Sequence, residues 1–258
     1  MQRSERYRQV ENELPCAVKN DEFQLFFQPI FDLKKRLVSG YEALLRWDSP
    51  RIGWVEPSEF IPVAEETGMI LSIGAWVMLR SCAQANRWPR GNVGVNVSKS
   101  ELLHPLFFAT VETALAKSRL LPERLAVEIS ETTYFQARDE AASTIAALRD
   151  RGVRVVIDEV TADTLARVGN GRLPVDGLKI ARGLIADIGS IFCKPADQET
   201  IRRIVRWGVD RGLVVIGTGI ENDAHLAFLQ ECGGALAQGF HLGRPLPADR
   251  SAFAGLAV

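Results

Sequence analysis

The stretch FQLFFQPIFDLKKRLVSGYEALLRW at residues 23–47 contains two apolar runs separated by a short, mostly charged segment. Enrichment in aromatic and β-branched residues predicts strands over Gln24–Phe31 and Leu37–Arg46. The connection between them, Asp32–Arg36, is too short for the crossover that parallel strands require. The sequence therefore predicts an antiparallel strand pair at the start of the fold.

Further along the chain, short strand-like runs alternate with amphipathic segments. Strands are predicted over Val93–Val97, Leu125–Ile129, Val153–Asp158, Gly177–Ile180, Val214–Gly217 and Ala235–Leu242. Helices are predicted over Pro57–Thr67, Ile70–Trp88, Pro105–Ser118, Ala137–Asp150, Asp197–Arg211 and Asp223–Glu231. Such alternation is typical of a mostly parallel sheet covered by helices, and eight strands favour closure. We predict an α/β fold: a TIM-like (β/α)8 barrel with an antiparallel first strand pair.

Length and composition favour one large domain, because 258 residues with 47% hydrophobic content suffice for a single barrel core. The segment Glu5–Asn20 is charged and helical in character. We therefore expect an N-terminal helical connector over residues 1–20 and a barrel domain over residues 21–258. A connector of this kind is consistent with a larger, membrane-tethered protein.

Charge and cysteine content exclude several classes of protein. Lys and Arg total 31 against 32 Asp and Glu, so there is no basic field for a nucleic-acid polymer. The four cysteines are scattered without metal-ligand or disulfide spacing, which favours reduced thiols in the cytoplasm. The apolar runs are too short for direct membrane insertion.

Polar residues recur where the predicted strands end, which is where the active sites of such barrels are built. They are Glu42, Asn96, Glu128, Glu131, Asp158, Glu159, Lys179, Glu221 and Gln238. Carboxylates that converge on one mouth repel one another, so they require a cationic partner such as a metal ion or Lys179. Carboxylate and amide oxygens suit Mg²⁺ or Mn²⁺, ions that serve phosphodiester cleavage.

These residues lie in motifs that resemble the EAL domain of cyclic di-GMP phosphodiesterases. YEALLRW at 41–47 resembles the signature that names the family, and PSEFIPVAEETGMI at 57–70 resembles its SPxxFIPxAExxGxI motif. VNVS, EISE, DE, LKI and QGF follow in the family's order. The resemblance extends from FFQPI at 26–30 to QGFHLGRPL at 238–246, almost the whole chain.

The resemblance implies roles for individual positions. As ligands of a first metal it implies Glu42, Asn96, Glu128 and Asp158. As catalytic positions it implies Lys179 beside the water or phosphate, Glu131 holding the loop at 158–166, and Glu221 and Gln238 near the catalytic centre. As positions in contact with cyclic di-GMP it implies Gln28, Glu42, Leu44, Arg46, Asn96, Asp158, Lys179, Gln238 and Pro245. Arg46 can offer a phosphate two donors in a planar fork.

Three motifs depart from the family pattern. The loop DDFGTGYSS reads DEVTADTLA at 158–166, LKID reads LKIA at 178–181, and AEGVE reads GTGIE at 217–221. Glu159, Ala181 and Thr218 therefore replace three family carboxylates, and a Glu at 159 is one methylene too long for an Asp ligand position. We expect a single, weakly held Mg²⁺ or Mn²⁺, which ligand binding does not require.

The resulting hypothesis is a receptor that binds cyclic di-GMP with little or no phosphodiesterase activity. One alternative is an active phosphodiesterase that produces pGpG, and another is a protein-interaction module that has abandoned the nucleotide. A protein partner in signalling is expected in either non-enzymatic case. Domains of this family often pair beside the loop at 158–166, so a homodimer is a further implication, although the altered loop argues against the family's geometry.

Overall fold

The computed structural model describes residues 5–169, 171 and 173–248. Its strands are β1 (Phe23–Asp32), β2 (Leu37–Ser49), β3 (Gly53–Val55), β4 (Asn92–Asn96), β5 (Leu125–Ser130), β6 (Arg154–Val160), β7 (Gly177–Ile180), β8 (Val214–Gly217), β9 (Leu236–Ala237) and β10 (Leu246–Pro247). Its α-helices are α1 (Glu5–Ala17), α2 (Pro57–Glu66), α3 (Ile70–Ala85), α4 (Lys99–Leu102), α5 (Phe107–Ser118), α6 (Glu131–Ala137), α7 (Ala142–Asp150), α8 (Ala162–Val168), α9 (Arg182–Ile185), α10 (Pro195–Val209) and α11 (Asp223–Glu231).

Eight of the strands close into a barrel, which confirms the predicted fold. The order around the barrel is β1, β2, β4, β5, β6, β7, β8 and β9, and β9 pairs back onto β1. Strand β1 runs antiparallel to both neighbours, whereas the pairs from β2 to β9 are parallel. The short connection after Asp32 forces this reversal, as the sequence predicts. Strands β3 and β10, which were not predicted, extend the sheet beside β2 and β1.

Several boundaries differ from the predicted ones. The strand predicted over Ala235–Leu242 is restricted to Leu236–Ala237, because the chain turns away beyond that point. The helix predicted over Ala137–Asp150 begins five residues later, as α7, and a turn separates it from the unpredicted helix α6, which ends at Ala137. Helices α4, α6, α8 and α9 have four to seven residues each, too few for a hydrophobic period to reveal them.

The N-terminal helix α1 packs against the barrel. Val10, Leu14 and Ala17 are buried in the same core as the barrel strands, and Arg6 forms an ion pair of 2.8 Å with Glu59 of α2. The role of residues 1–20 as a connector stays a prediction. No helix among the described residues is both long and apolar enough to cross a membrane.

Strand register decides which side chains face the inside of the barrel. Directly paired residues share a face, and the pairings link Gln28 to Glu42, Glu42 to Gly94, and Asn96 to Glu128. Glu128 pairs with Val156, and Val156 pairs with Gly177, so these residues also face inward. Asp158 and Lys179 lie two residues further along the same strands and therefore face inward as well. Alternate residues, including Val127, Val155 and Leu178, face the helices and form the buried core outside the barrel.

Candidate functional site

Lys179 of β7 lies at the centre of the polar cluster inside the barrel. Its Nζ donates to Glu42 Oε2 at 2.6 Å and to Glu128 Oε2 at 2.7 Å, and lies 3.5 Å from Asp158 Oδ2. Lys179 is 1% exposed and Glu128 2%, so water screens these charges little. The three carboxylates thus have one buried ammonium as their shared counter-charge.

Amide side chains satisfy the remaining acceptors of Glu42. Asn96 donates through Nδ2 to Glu42 Oε1 at 2.7 Å, and Gln238 donates through Nε2 to Glu42 Oε2 at 2.7 Å. Gln238 also donates to Gln28 Oε1 at 3.1 Å, and Gln28 in turn donates to the carbonyl of Gly243 at 3.3 Å. Residues from β1, β2, β4, β7 and the turn after β9 therefore form one hydrogen-bonded network, which supports the predicted grouping of these positions.

Burial and neighbouring charges shift the pKa values of Glu42 and Glu128 in opposite directions. Burial raises the pKa of Glu42, but attraction to Lys179 and the hydrogen bonds from Lys179, Asn96 and Gln238 outweigh it and hold this pKa below its usual range. Burial raises the pKa of Glu128 to about 8, and repulsion from Glu42 and Asp158 adds to the rise against the attraction of Lys179. Burial also acts to lower the pKa of Lys179, but the carboxylates raise it well above its ordinary value.

The carboxylates fit a divalent cation. One oxygen each from Glu42, Glu128 and Asp158 lie within 4.8 Å of one another. Asn96 uses its Nδ2 on Glu42, which leaves the amide oxygen available as a fourth ligand. This oxygen-rich donor set suits Mg²⁺ or Mn²⁺. Glu42, Asn96, Glu128 and Asp158, the predicted first-metal positions, are therefore the residues that could hold such an ion.

The loop after β6 starts from an unusual backbone conformation. Glu159 has φ of +62°, and its backbone N–H donates to Asp158 Oδ1 at 2.7 Å. Burial raises the pKa of Glu159, and the neighbouring Asp158 adds to the rise. The Thr161 hydroxyl donates to Glu131 Oε2 at 3.1 Å, so Glu131 contacts the loop that the resemblance implies it holds. Thr161 also caps α8, where the family pattern has a glycine.

The other two departures from the family pattern are Thr218, directly after β8, and Ala181, directly after β7. We call this part of the site its outer side, and the network around Lys179 its inner side. The Thr218 hydroxyl donates to the carbonyl of Ile180 at 2.7 Å. Ala181 is buried and contributes only a methyl group. Glu221, the remaining carboxylate of its motif, forms an ion pair of 2.6 Å with Arg182, and both side chains are largely exposed.

Two clefts adjoin the network. The first has a volume of about 230 Å³ and is lined by Gln28, Glu42, Leu44, Asp158, Glu159, Lys179, Arg182, Thr218, Gly219, Glu221, Gln238, Gly239 and Phe240. The second, of about 350 Å³, lies toward α2 and α3 and includes Leu44, Arg46, Asn96 and Glu128. Arg46 donates to the carbonyl of Leu45 at 2.8 Å and lies 5.8 Å from the Phe26 ring. Pro245 is half-buried and lines neither cleft.

Two large side chains of the first cleft, Arg182 and Phe240, were not predicted from the sequence. Arg182 follows β7 by two residues, and its aliphatic stem lies across Gly219, where a Cβ atom would collide with it. Phe240 is 46% exposed, and the guanidinium of Arg244 lies 4.7 Å from its ring. Their positions in the sequence could have indicated them, because Arg182 comes three residues after Lys179 and Phe240 comes two residues after Gln238.

The chain is similar to known signalling proteins over most of its length. The family described as "EAL domain" matches residues 11–245. The bifunctional diguanylate cyclase/cyclic di-GMP phosphodiesterase MucR of Pseudomonas aeruginosa is 32% identical over 94% of this chain. The signaling protein YkoW of Bacillus subtilis is 32% identical over 91% of it. The chain spans only 36% of MucR and 29% of YkoW.

Solved structures give the same result. The PaMucR phosphodiesterase in complex with c-di-GMP superposes with a TM-score of 0.84 at 32% identity, over 93% of this chain and 98% of that one. The FimX EAL domain of Pseudomonas aeruginosa bound to c-di-GMP has a TM-score of 0.82 at 26% identity, with the same coverage of both chains. The chain therefore belongs to the EAL domain family, whose members bind or hydrolyse cyclic di-GMP.

Proposed function

We propose that this domain binds cyclic di-GMP as a receptor and hydrolyses it slowly or not at all. The observation that carries the proposal is the contrast between the two sides of one cleft. The inner side retains the network of Lys179, Glu42 and Gln238, with contacts of 2.6–2.7 Å. The outer side has a hydroxyl at 218 that already donates to a carbonyl, and the buried Ala181 offers no carboxylate to it.

Ligand binding is supported by the cations and amides at the clefts. A cyclic dinucleotide carries two phosphodiester charges, and Arg46, Lys179 and Arg182 line the two clefts. Arg182 is held by an exposed ion pair, which contributes only about 0–1 kcal/mol, so it can exchange Glu221 for a phosphate at little cost. MucR and FimX, solved with c-di-GMP, support the same ligand class for this chain.

Slow hydrolysis is supported by the chemistry of the outer side. A threonine hydroxyl remains protonated at neutral pH, so Thr218 cannot take a proton from water as a carboxylate would. Loss of one positioned general base costs about 10²–10⁴ in rate.

In this proposal, a divalent cation fits only the inner side of the site. Glu42, Glu128, Asp158 and Asn96 would hold it, and bound there it would supply Lewis-acid stabilisation of phosphate charge. Lys179 already offsets part of the charge of these carboxylates, which supports weak metal binding. We propose that ligand recognition proceeds without the ion.

The test measures binding and turnover on the same sample. Calorimetry with cyclic di-GMP, with and without Mg²⁺, should detect binding in both conditions, and chromatography should detect little pGpG. Arg46→Ala should weaken binding by about 10- to 100-fold, because charge-assisted hydrogen bonds contribute about 1.5–3 kcal/mol. Arg151→Ala is the matched control, since Arg151 is an exposed, ion-paired arginine at the opposite end of β6. Absence of binding at micromolar ligand would refute the proposal.

Active phosphodiesterase is a second candidate. The observation that favours it is the set of three carboxylate oxygens within 4.8 Å, which fits a metal ion, together with the phosphodiesterase activity named for MucR. Linear, Mg²⁺-dependent appearance of pGpG at ordinary enzyme rates would establish this candidate in place of the receptor.

A further inference from the structure

A separate cavity lies inside the barrel, at the end opposite to the candidate site and its two clefts. Its volume is about 380 Å³, and it opens between the loops that precede the strands. Three small residues on neighbouring strands, Gly40, Gly94 and Ala126, line its wall. Barrel interiors of this class are normally filled with branched side chains, so this layer of small residues explains the open space.

Side-chain exposure supports the presence of this cavity independently. Ile30, Ala126, Val156 and Ile216, which face it, are 6–8% exposed. Leu125, Val127, Val155 and Ile157, which face outward on two of the same strands, are 0% exposed. The barrel is therefore packed tightly on its helical side and loosely at this end of its interior.

Most of the cavity wall is apolar, and its charged groups are unequally satisfied. Asp32 accepts from the backbone N–H groups of Lys34 and Lys35 and forms an ion pair with Lys35. Asp176 accepts two donors from Arg149 and the backbone N–H of Val155.

Arg154 also lines the cavity, at the start of β6, and its side chain makes no hydrogen bond or ion pair with any residue in the described part of the chain. An apolar cavity with one cation available at its mouth suits a ligand with an apolar body and an anionic head.

We propose that this cavity binds an aliphatic monocarboxylate, with its chain between Val156 and Ile216 and its carboxylate on Arg154. A dry cavity of about 150 Å³ accommodates benzene, so about 380 Å³ accommodates a chain of roughly ten to fifteen carbons. The guanidinium matches a carboxylate with two parallel donors. Apolar burial of the chain supplies the larger part of the binding free energy.

The cavity is separate from the nucleotide clefts. Glu128 forms the boundary, because it contributes to both this cavity and the cleft toward α2 and α3. Its carboxylate occupies the space that a side chain at position 94 would need. Binding of the monocarboxylate and of cyclic di-GMP should therefore be compatible in one molecule.

Decanoate, used below its micelle concentration, is the probe, and decanol is its uncharged counterpart. Isothermal titration with the whole chain should show one decanoate site. Arg154→Ala should weaken decanoate binding by about 10- to 100-fold, the equivalent of one charge-assisted pair, and should leave decanol binding unchanged. Arg151→Ala is the control for loss of an exposed arginine. Val156→Phe should fill the cavity and abolish binding of both ligands.

The outcomes separate this proposal from the receptor function. Cyclic di-GMP titrated into the same samples reports on the nucleotide clefts and on folding, and Ala126→Leu replaces Val156→Phe if the latter does not fold. No decanoate binding to the natural chain would overturn the proposal, whatever cyclic di-GMP does. Equal decanoate affinity in Arg154→Ala, or retained binding in the filled variant, would overturn it as well.

Discussion

Replacement of Lys179 by Met is the most direct test of how the candidate site is held together. Methionine retains a long, flexible apolar side chain but removes the ammonium that contacts Glu42 and Glu128 at 2.6 and 2.7 Å and lies 3.5 Å from Asp158. Without it, three carboxylates face one another inside the barrel with no buried cation among the described residues. Such a change leaves uncompensated charge in a poorly hydrated space.

The expected cost can be bounded from the structure. Removing one partner of a buried ion pair typically destabilises a protein by about 3–5 kcal/mol. Glu128, whose pKa burial raises to about 8, already holds a proton in most molecules at pH 7, which limits the repulsion among the three carboxyl groups. We therefore expect a loss near the lower limit, about 3 kcal/mol at pH 7, which corresponds to a fall in Tm of about 6–12 °C for a chain of this size.

Chemical and thermal denaturation without metal would measure this loss. Stability of the Met variant should recover as pH falls, because its carboxylates, whose pKa values are then raised in the folded state, bind protons more tightly than in the unfolded chain. Mg²⁺ should stabilise this variant more than the natural chain, since the ion replaces the missing positive charge.

Lys35→Met is the matched control for this measurement. It removes an exposed lysine from its ion pair with Asp32 and should cost about 0–1 kcal/mol. A loss below about 1 kcal/mol for Lys179→Met, well short of that expected for a buried pair, would refute the inferred role of the ammonium.

Three further predictions concern other parts of the barrel. Burial raises the pKa of Glu101 to about 6, so this group should cost about 2 kcal/mol of folding stability above pH 6 and less as pH falls toward 4.5; Glu101→Gln should abolish this part of the pH dependence in denaturation curves. Gly94→Ala places a methyl group against the Glu128 carboxylate and should lower Tm and weaken Mg²⁺ binding in titrations, whereas an unchanged affinity would contradict the close packing. Thr218→Glu combined with Glu159→Asp restores two family carboxylates and should raise pGpG formation by about 10²-fold or more in a chromatographic assay; no increase would place the defect elsewhere.

Much of the fold could be predicted because its signals are local. A strand can be recognised from a few consecutive residues. The five-residue connection after the first strand requires an antiparallel pair, whatever the rest of the fold. The polar residues at the strand ends can likewise be identified from each short motif by itself. Short elements such as α6 and α9 escaped prediction because four to seven residues cover at most two helical turns, too few for a hydrophobic period to be recognised.

The sequence by itself determined the family and the barrel, and it indicated most of the polar residues around the barrel mouth. Only the tertiary structure decided how those residues interact, because the contacts join residues that are far apart along the chain. Lys179 is separated from Glu42 by 137 residues, and Gln238 is separated from Glu42 by 196. Which carboxylate is stabilised as an anion and which has a raised pKa follows from burial and from those contacts.

The same holds for Arg182, whose partner Glu221 is 39 residues away, and for the cavity above Arg154, which forms only where small residues of several strands meet. Charge and packing depend on distances in space, and no period in a sequence encodes them.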